Sequence, residues 1–546
     1  MNRFYVFSLF AFLYGSMILN AQETDEAENL RESFRNGAYN DPKMEANISR
    51  FANLVEQASD EKETFIFMTD PHLMGSSSVF TAANERDFKW YIGTVFNYYE
   101  KSPLDIVICG GDWLNQKDTY DAACDKLKYM DNSMRTLFYP YLPVMGNHDT
   151  NYIGTLVDGK RGLEPETAWD IMFHEEGASH YAYHADNTVF YVFDNWMALT
   201  AGGVPNGHDK YFLEQADWFA MNLLENDNPH GVLVMHAYYR SDVASAVEHF
   251  LSTRVTAIAN AYNRRGTVTN NGHTYNFASC KGYIHCIITG HTHEDALITS
   301  TSIPVFMTTS LKQGNLPSFD LCLLDYGNGT LQSVRAGTGN DRVLSLAMNP
   351  EEFESLTVTS AKCRTFCSES AVDFTNVPGL HAYIVIGVTD EMIPQLVLSP
   401  VGAVPANTGV IILADQGRYN IPKIESCDVD VAENKLIGVA YNTDVVAPIY
   451  VLMNENNAVG FRKTTRTFTV GGHTAYLDES VFDNIIPASE AAKTVSLEDI
   501  LPTRISNPQI IDNSNLEAPV YNLSGMQIPV YGKGIIIVNG KKILIP

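Results

Sequence analysis

The sequence has no C-x-x-C pair among its eight cysteines, too few basic residues to balance its acids, and a single long apolar run. The missing cysteine pairs leave a sulfur-ligated metal site without support. With Lys+Arg at 37 against Asp+Glu at 64, the net charge is −27, and a field of that sign repels polyanions. This excludes general nucleic-acid binding through a basic face. Phosphate chemistry survives the argument, because bound metal ions invert the charge locally. No internal repeat of solenoid length is visible. Apolar residues at 45% and charged residues at 18% exclude a disordered or collagen-like chain. At 546 residues, and roughly 150 residues per domain, three or four domains are expected.

The apolar run is Phe4–Leu19, preceded by Asn2 and Arg3 and followed by Asn20-Ala21-Gln22. A charged start, a hydrophobic stretch and a small residue read as a secretory signal over residues 1–21, cut after Ala21. A membrane anchor is the alternative, at the short end for a span. The mature chain is expected to have no transmembrane segment and to be exported to the periplasm, the outer surface or the medium. That compartment permits disulfides. Cys109 and Cys286 lie in strand-like runs and read as buried thiols, while Cys363 and Cys367 are close enough in sequence to pair.

Residues 22–62 are polar and acidic, with one amphipathic helix suggested by Met44, Ile48, Phe51 and Val55. Over 63–345 short apolar strands alternate with helical segments, which predicts a layered α/β domain. The strands are expected at Phe65–Met68, Ile106–Cys109, Leu142–Met145, Val189–Phe193, Val232–Met235 and Ile284–Ile288. The helices are expected at Asn84–Tyr99, Thr119–Phe138, Tyr211–Leu224 and Asp242–Asn263. Over 350–487 the helical pattern vanishes and turn-separated strand runs predict an all-β module. A polar linker over 488–517 leads to a tail over 518–546, where Asn539-Gly540 between two apolar runs signals a hairpin.

Five polar clusters interrupt the α/β region, each following an apolar strand. They are Asp70-Pro71-His72, Gly111-Asp112, Gly146-Asn147-His148-Asp149, His236 and Gly290-His291-Thr292-His293. In open α/β folds the ligand crevice lies beyond the carboxyl ends of the strands, so all five are delivered to one edge of the core. Imidazoles, carboxylates and one amide oxygen without sulfur suit Zn, Fe, Mn or Ni. The candidate ligands are too many for one tetrahedral ion and enough for two ions sharing a carboxylate. Two such ions clamp the attacking and leaving oxygens of an in-line displacement at phosphorus.

In order and type the clusters resemble the D-x-H, G-D, G-N-H-D/E, H and G-H-x-H signature of the calcineurin-like metallophosphoesterases. The resemblance covers about Thr64 to Gly339. It implies a four-layer α-β-β-α sandwich and two metal ions, Mn, Fe or Zn. It also implies hydrolysis of phosphomonoesters or phosphodiesters by a metal-bridging hydroxide. Carried over residue by residue, Asp70, His72 and His293 hold the first ion, Asn147, His236 and His291 the second, and Asp112 bridges them. His148 would assist the leaving group, with Asp149 orienting its ring. The family often has an acid three positions after the second-block Asp; here it is Asn115, which removes no ligand. The Tyr-rich segment Ser179–Trp196 resembles the family's hairpin and supports the fold more than the site.

Outside this set, His174, His208, His230, His249, His273, His285, His381 and His473 show no partner pattern and read as structural or exposed. His180 and His184 are weaker site candidates, and Arg240 is a candidate phosphate contact. Val520–Gly525 and the Asn-Gly-Lys-Lys hairpin resemble the C-terminal sorting tails of bacterial surface proteins, which implies export machinery as a partner. The expected substrate is a phosphate-ester small molecule or a phosphorylated surface component. The competing function is a surface binding or adhesion protein that uses the β module.

Overall fold

The computed structural model describes residues 25–35, 41–73, 79–115, 118–149, 163, 165–195, 208–225, 228–238, 246–389, 395–455, 458–464, 466–482, 494–496, 534–538 and 541–545. The leader, Val520–Gly525, the Asn539-Gly540 turn and Arg240 lie outside the described residues, as does the expected linker 488–517 except for Thr494–Ser496, which is a strand paired antiparallel with Ala458–Thr464 and not linker.

Strand β1 (Lys62–Met68) sends Phe65 and Phe67 to one face and Ile66 and Met68 to the other, and all four are fully buried. A strand covered on both faces reads as a continuous apolar run, which is why it was legible. The same holds for β2 (Ile106–Cys109), while β3 (Tyr141–Pro143) is shorter than expected. The other half starts with β4 (Tyr181–His184), β5 (Thr188–Phe193) and β6 (His230–Met235). The hairpin of β7 (Thr267–Asn270) and β8 (His273–Asn276) then precedes β9 (Tyr283–Thr289), β10 (Ala296–Ile298) and β11 (Val305–Met307). Strands β12 (Phe319–Asp325), β13 (Thr330–Ala336) and β14 (Arg342–Ser345) return to the first half.

Two six-stranded sheets result, ordered β14-β13-β12-β1-β2-β3 and β10-β11-β9-β6-β5-β4. Strands β1, β2 and β3 run parallel, as do β5, β6, β9 and β11. Phe65, Phe67 and Ile108 of the first sheet meet Phe190, Val234 and Ile288 of the second in one buried cluster. On the outer face of the first sheet, Ile66 and Val107 pack with Phe88 and Ile92 of helix Ala82–Lys101 and Leu127 of helix Tyr120–Leu137. On that of the second, Tyr191 and Leu233 pack with Phe219 of helix His208–Glu225 and Val255 of helix Ala246–Asn263. The half built on these two sheets is therefore a mixed α/β unit. No helix among the described residues is long and apolar enough to cross a membrane.

Two helices, Asp25–Arg35 and Met44–Gln57, occupy the N-terminal segment where one was expected. Phe34, Met44 and Phe51 are buried in the same cluster as Ile66, so this segment completes the core of the first sheet.

The C-terminal region is rich in strands. A four-stranded sheet carrying Leu356, Val358 and Ile421 faces another carrying Phe366, Ile384 and Ile412. The second sheet's other face, through Val385 and Ile411, packs on a five-stranded sheet through Tyr450, Phe461 and Leu477. Strands Gly534–Val538 and Lys541–Ile545 pair antiparallel. All eight cysteines are free, so Cys363 and Cys367 do not pair. Cys363 begins the strand Cys363–Phe366 and Cys367 follows its end. Four extended residues span about 13 Å, beyond the roughly 7 Å a disulfide tolerates between Cα atoms.

Candidate metal centre

Strands β1, β2, β3, β6 and β9 each end just before one polar cluster, and the parallel pairing puts those ends together. The backbone there is held in an uncommon conformation. Asp70 (φ 50°), His72 (φ 41°), Asp112 (φ 61°), His291 (φ 72°) and His293 (φ 55°) all lie in the left-handed region. Each such residue costs on the order of 1–3 kcal/mol and persists only where its surroundings enforce it. Two glycines explain how the clusters approach so closely. A Cβ on Gly146 would strike the Asp112 backbone N and Oδ1, and one on Gly290 would strike Thr69 Oγ1 and Asp70 Oδ2.

Seven side chains converge in two groups. In the first, His293 Nε2 lies 3.1 Å from Asp70 Oδ1 and 3.1 Å from His72 Nε2. In the second, Asn147 Oδ1 lies 3.1 Å from both His236 Nε2 and His291 Nδ1, which are 3.2 Å apart. Asp112 Oδ2 stands between them, 3.7 Å from His72 Nε2 and 3.2 Å from His236 Nε2. Asp70, Asp112 and His236 are almost completely buried, whereas the His293 side chain is 45% exposed, so one side of the centre opens to solvent.

The hydrogen bonds behind the rings test whether metal ions fit. His72 Nδ1 donates to the Leu114 carbonyl at 3.0 Å, and His236 Nδ1 donates to the Gly110 carbonyl at 2.6 Å. These bonds leave each Nε2 lone pair pointing at carboxylate oxygens and at other ring nitrogens, an arrangement suited to cations. Among the described residues no lysine or arginine pairs with Asp70 or Asp112; their ionic partners are histidines. Burial alone would raise both carboxyls, but His236 beside them holds both below the ordinary carboxylate range. Burial would lower His236, yet Asp112 and Asp70 outweigh it and push that imidazole up to about 10. Two buried carboxylates thus demand positive charge at this place, and nitrogen and oxygen donors without sulfur fit Mn, Fe or Zn. The backbone carbonyls of Gly110 and Leu114 went unforeseen, since no side chain marks them.

His148 is 28% exposed, with Nε2 3.8 Å from Asp112 Oδ2 and its ring edge-on to His72 at 4.6 Å. Burial, only partly offset by Asp112, lowers it to about 4. Its Nδ1 is buried without a partner, so Asp149 does not orient the ring, contrary to expectation. Asp149 turns the opposite way and accepts four backbone N–H groups. Oδ2 takes Asp112 N and Gly146 N, both at 2.9 Å, and Oδ1 takes Trp113 N at 2.7 Å and Leu114 N at 3.2 Å. Burial and the Asp112 charge push Asp149 up to about 7, against those four donors.

Among the described side chains, the other histidines stay out of the centre. His180 sits edge-on to Trp218 at 5.0 Å, and His184 ends β4 in an exposed position. His230 Nδ1 and His285 Nε2 are 2.9 Å apart, near the starts of β6 and β9.

Residues 63–295 match the family model described as calcineurin-like phosphoesterase. No curated protein matches the sequence. Among solved structures, a dimetal phosphatase from Danio rerio is 12% identical, covering 52% of this chain and 98% of its own, at TM-score 0.38. A phosphopantetheinyl hydrolase from Mycobacterium tuberculosis is 15% identical, covering 46% and 91%, at 0.28. A calcineurin-like phosphoesterase from Bacillus subtilis is 14% identical, covering 52% and 89%, at 0.26. The family match makes residues 63–295 a calcineurin-like phosphoesterase domain, and the chain a hydrolase acting on phosphoric ester bonds.

Proposed function

We propose that this domain, extended to residue 345, is an exported two-metal phosphoesterase that hydrolyses phosphomonoesters or phosphodiesters on a four-layer α-β-β-α sandwich. The observation that carries the reading is the position of Asp112 Oδ2, within 3.7 Å of a nitrogen in one ligand group and 3.2 Å of a nitrogen in the other. Asp70, His72 and His293 would hold one ion, Asn147, His236 and His291 the other, and Asp112 would serve both. When bound, the ions would neutralise phosphoryl oxygens and bring the pKa of an attacking water towards about 7.

The chain's own residues supply the rest. His72 and His236, fixed through Nδ1 by backbone carbonyls, keep Nε2 turned inward without rearrangement. His148, partly exposed at the rim, would assist the leaving oxygen by a hydrogen bond from its ring N–H. Asp149 braces the turn that carries Asp112. A phosphate-ester small molecule or a phosphorylated surface component is the substrate class we favour. Export is supported by the Asn2-Arg3 start and the Phe4–Leu19 run, and recognition of the tail by export machinery by Val520–Gly525.

The test compares initial rates on an aryl phosphate monoester and the matching diester, using full-length chain stripped of metal and reloaded with manganese. Turnover lost in Asp112→Asn supports the bridged centre, and the faster ester sets the substrate class. Metal bound at two equivalents with no turnover on either ester would reject general phosphoesterase activity.

A further inference from the structure

The turn after β11 holds one ligand group by its backbone. Thr309 Oγ1 donates to the His293 carbonyl and Ser310 Oγ to the Asp70 carbonyl, both at 2.7 Å; Lys312 Nζ reaches the His72 carbonyl at 3.4 Å. Leu311 N adds a bond to the Thr69 carbonyl at 2.9 Å. Every member of the Asp70, His72, His293 group therefore has its carbonyl engaged by a side chain from one short stretch. In the other group, the His236 carbonyl is held by Thr289 Oγ1 and Gly290 N, from a different segment.

These bonds fall on strained backbone. Asp70, His72 and His293 are left-handed, and a fixed donor at each carbonyl helps to over-determine a conformation that side-chain-bearing residues seldom adopt. Thr309 and Ser310 are buried, so water does not readily replace them. The turn is itself anchored. Thr308 Oγ1 donates to Asp320 Oδ2 at 2.8 Å and Thr309 N to Asp295 Oδ1 at 3.1 Å. Arg335 and Arg342 pair with those two carboxylates. The turn, Asp320 and both arginines lie beyond residue 295, where the family match ends.

We infer that Thr309 and Ser310 are positioning residues for the ion site formed by Asp70, His72 and His293, setting its affinity independently of the site formed by Asn147, His236 and His291. The inference rests on the two-ion reading above. Loss of an outer hydrogen-bond partner commonly lowers metal affinity about ten- to a hundredfold.

Manganese is titrated calorimetrically into the stripped full-length chain, with metal content measured after gel filtration. The chains compared are the wild type, Thr309→Val, Ser310→Ala, and the conservative Thr309→Ser and Ser310→Thr. The expected result is two binding events in the wild type. One weakens about ten- to a hundredfold in Thr309→Val and Ser310→Ala, and it recovers in the hydroxyl-preserving variants. In a His291→Ala background the surviving event should still respond to Ser310→Ala. Should Thr309→Val fail to fold, Ser310→Ala, which removes a single oxygen, carries the comparison. Two unchanged events in the variants, or equal weakening of both, would overturn the inference, even where the melting temperature falls. Fewer than two ions in the wild type would instead reject the two-ion reading, and the inference with it.

Discussion

Asp149 accepts the backbone N–H of Asp112 at 2.9 Å, and the residue beside it in sequence, His148, keeps its Nδ1 unpartnered. The carboxylate therefore acts on the turn that carries the shared ligand and not on an imidazole. Asp149→Asn would turn an amide donor towards backbone N–H groups. The metal-free chain is expected to lose roughly 2–4 kcal/mol of stability, the cost of leaving one or two buried donors unpaired. Denaturant unfolding of the stripped protein measures this. Unchanged apo stability with lower turnover would restore a direct role on His148.

Metal binding should be visible as stability. Asp70 and Asp112 are buried with histidines as their only ionic partners among the described residues, so cations that bind only the folded state relieve their repulsion. At free metal one hundred times its dissociation constant, each site adds about 2.7 kcal/mol. Manganese is expected to raise the melting temperature of the wild type and to do so much less in Asp112→Asn. A chelator should reverse the wild-type gain. Equal shifts in both proteins would place the bound metal elsewhere.

The ligand clusters were legible because they are chemically unusual and each follows an apolar strand whose end the fold brings to one place. Asp70, His72, Asp112, Asn147, His236, His291 and His293 all meet in the structure. What holds them was not legible. Thr309 and Ser310 are ordinary hydroxyl residues after a three-residue strand, and their partners lie far away in sequence. Adjacency misled in the case of Asp149, because neighbours on a tight turn diverge. The helix Asp25–Arg35 escaped notice because its polar, acidic sequence hides one decisive apolar residue, Phe34, which is fully buried.

A separate pH dependence arises at the opposite end of β1. Glu63 is buried, and burial together with Asp105 and Asp186 pushes its carboxyl from 4.5 up to about 7, although Asn187 N donates to it at 3.2 Å. A raised folded-state pKa means the folded chain holds the proton more tightly than the unfolded one. Its contribution to stability is complete below pH 4.5, declines as pH rises through the window, and is lost above about 7. Glu63→Gln mimics the protonated form at every pH. The melting temperature of the variant relative to wild type should rise from pH 4.5 to 7 and then level off. Parallel curves would show that Glu63 is not the titrating group.

The β-rich region is joined to the catalytic half by a buried amide. Asn420 Nδ2 donates to the Gly329 carbonyl at 2.8 Å and to the Leu346 carbonyl at 2.9 Å, and Asn420 is 2% exposed. Both acceptors belong to the turn and strand end at the edge of the first sheet, while Asn420 lies on Gly417–Ile424 of the β region. One side chain thus satisfies two buried carbonyls across the junction. Replacing it with Ala leaves the Leu346 carbonyl without this donor, at about 1–3 kcal/mol, while the Gly329 carbonyl keeps the backbone N–H of Leu346 at 3.0 Å; the penalty falls on the contact between the halves more than on either core. Calorimetry of Asn420→Ala should show the β-region transition separating from, or moving further below, that of the catalytic half. Manganese should still raise the catalytic transition by the wild-type amount. A uniform drop of a single transition would mean that the halves unfold together through contacts other than this amide.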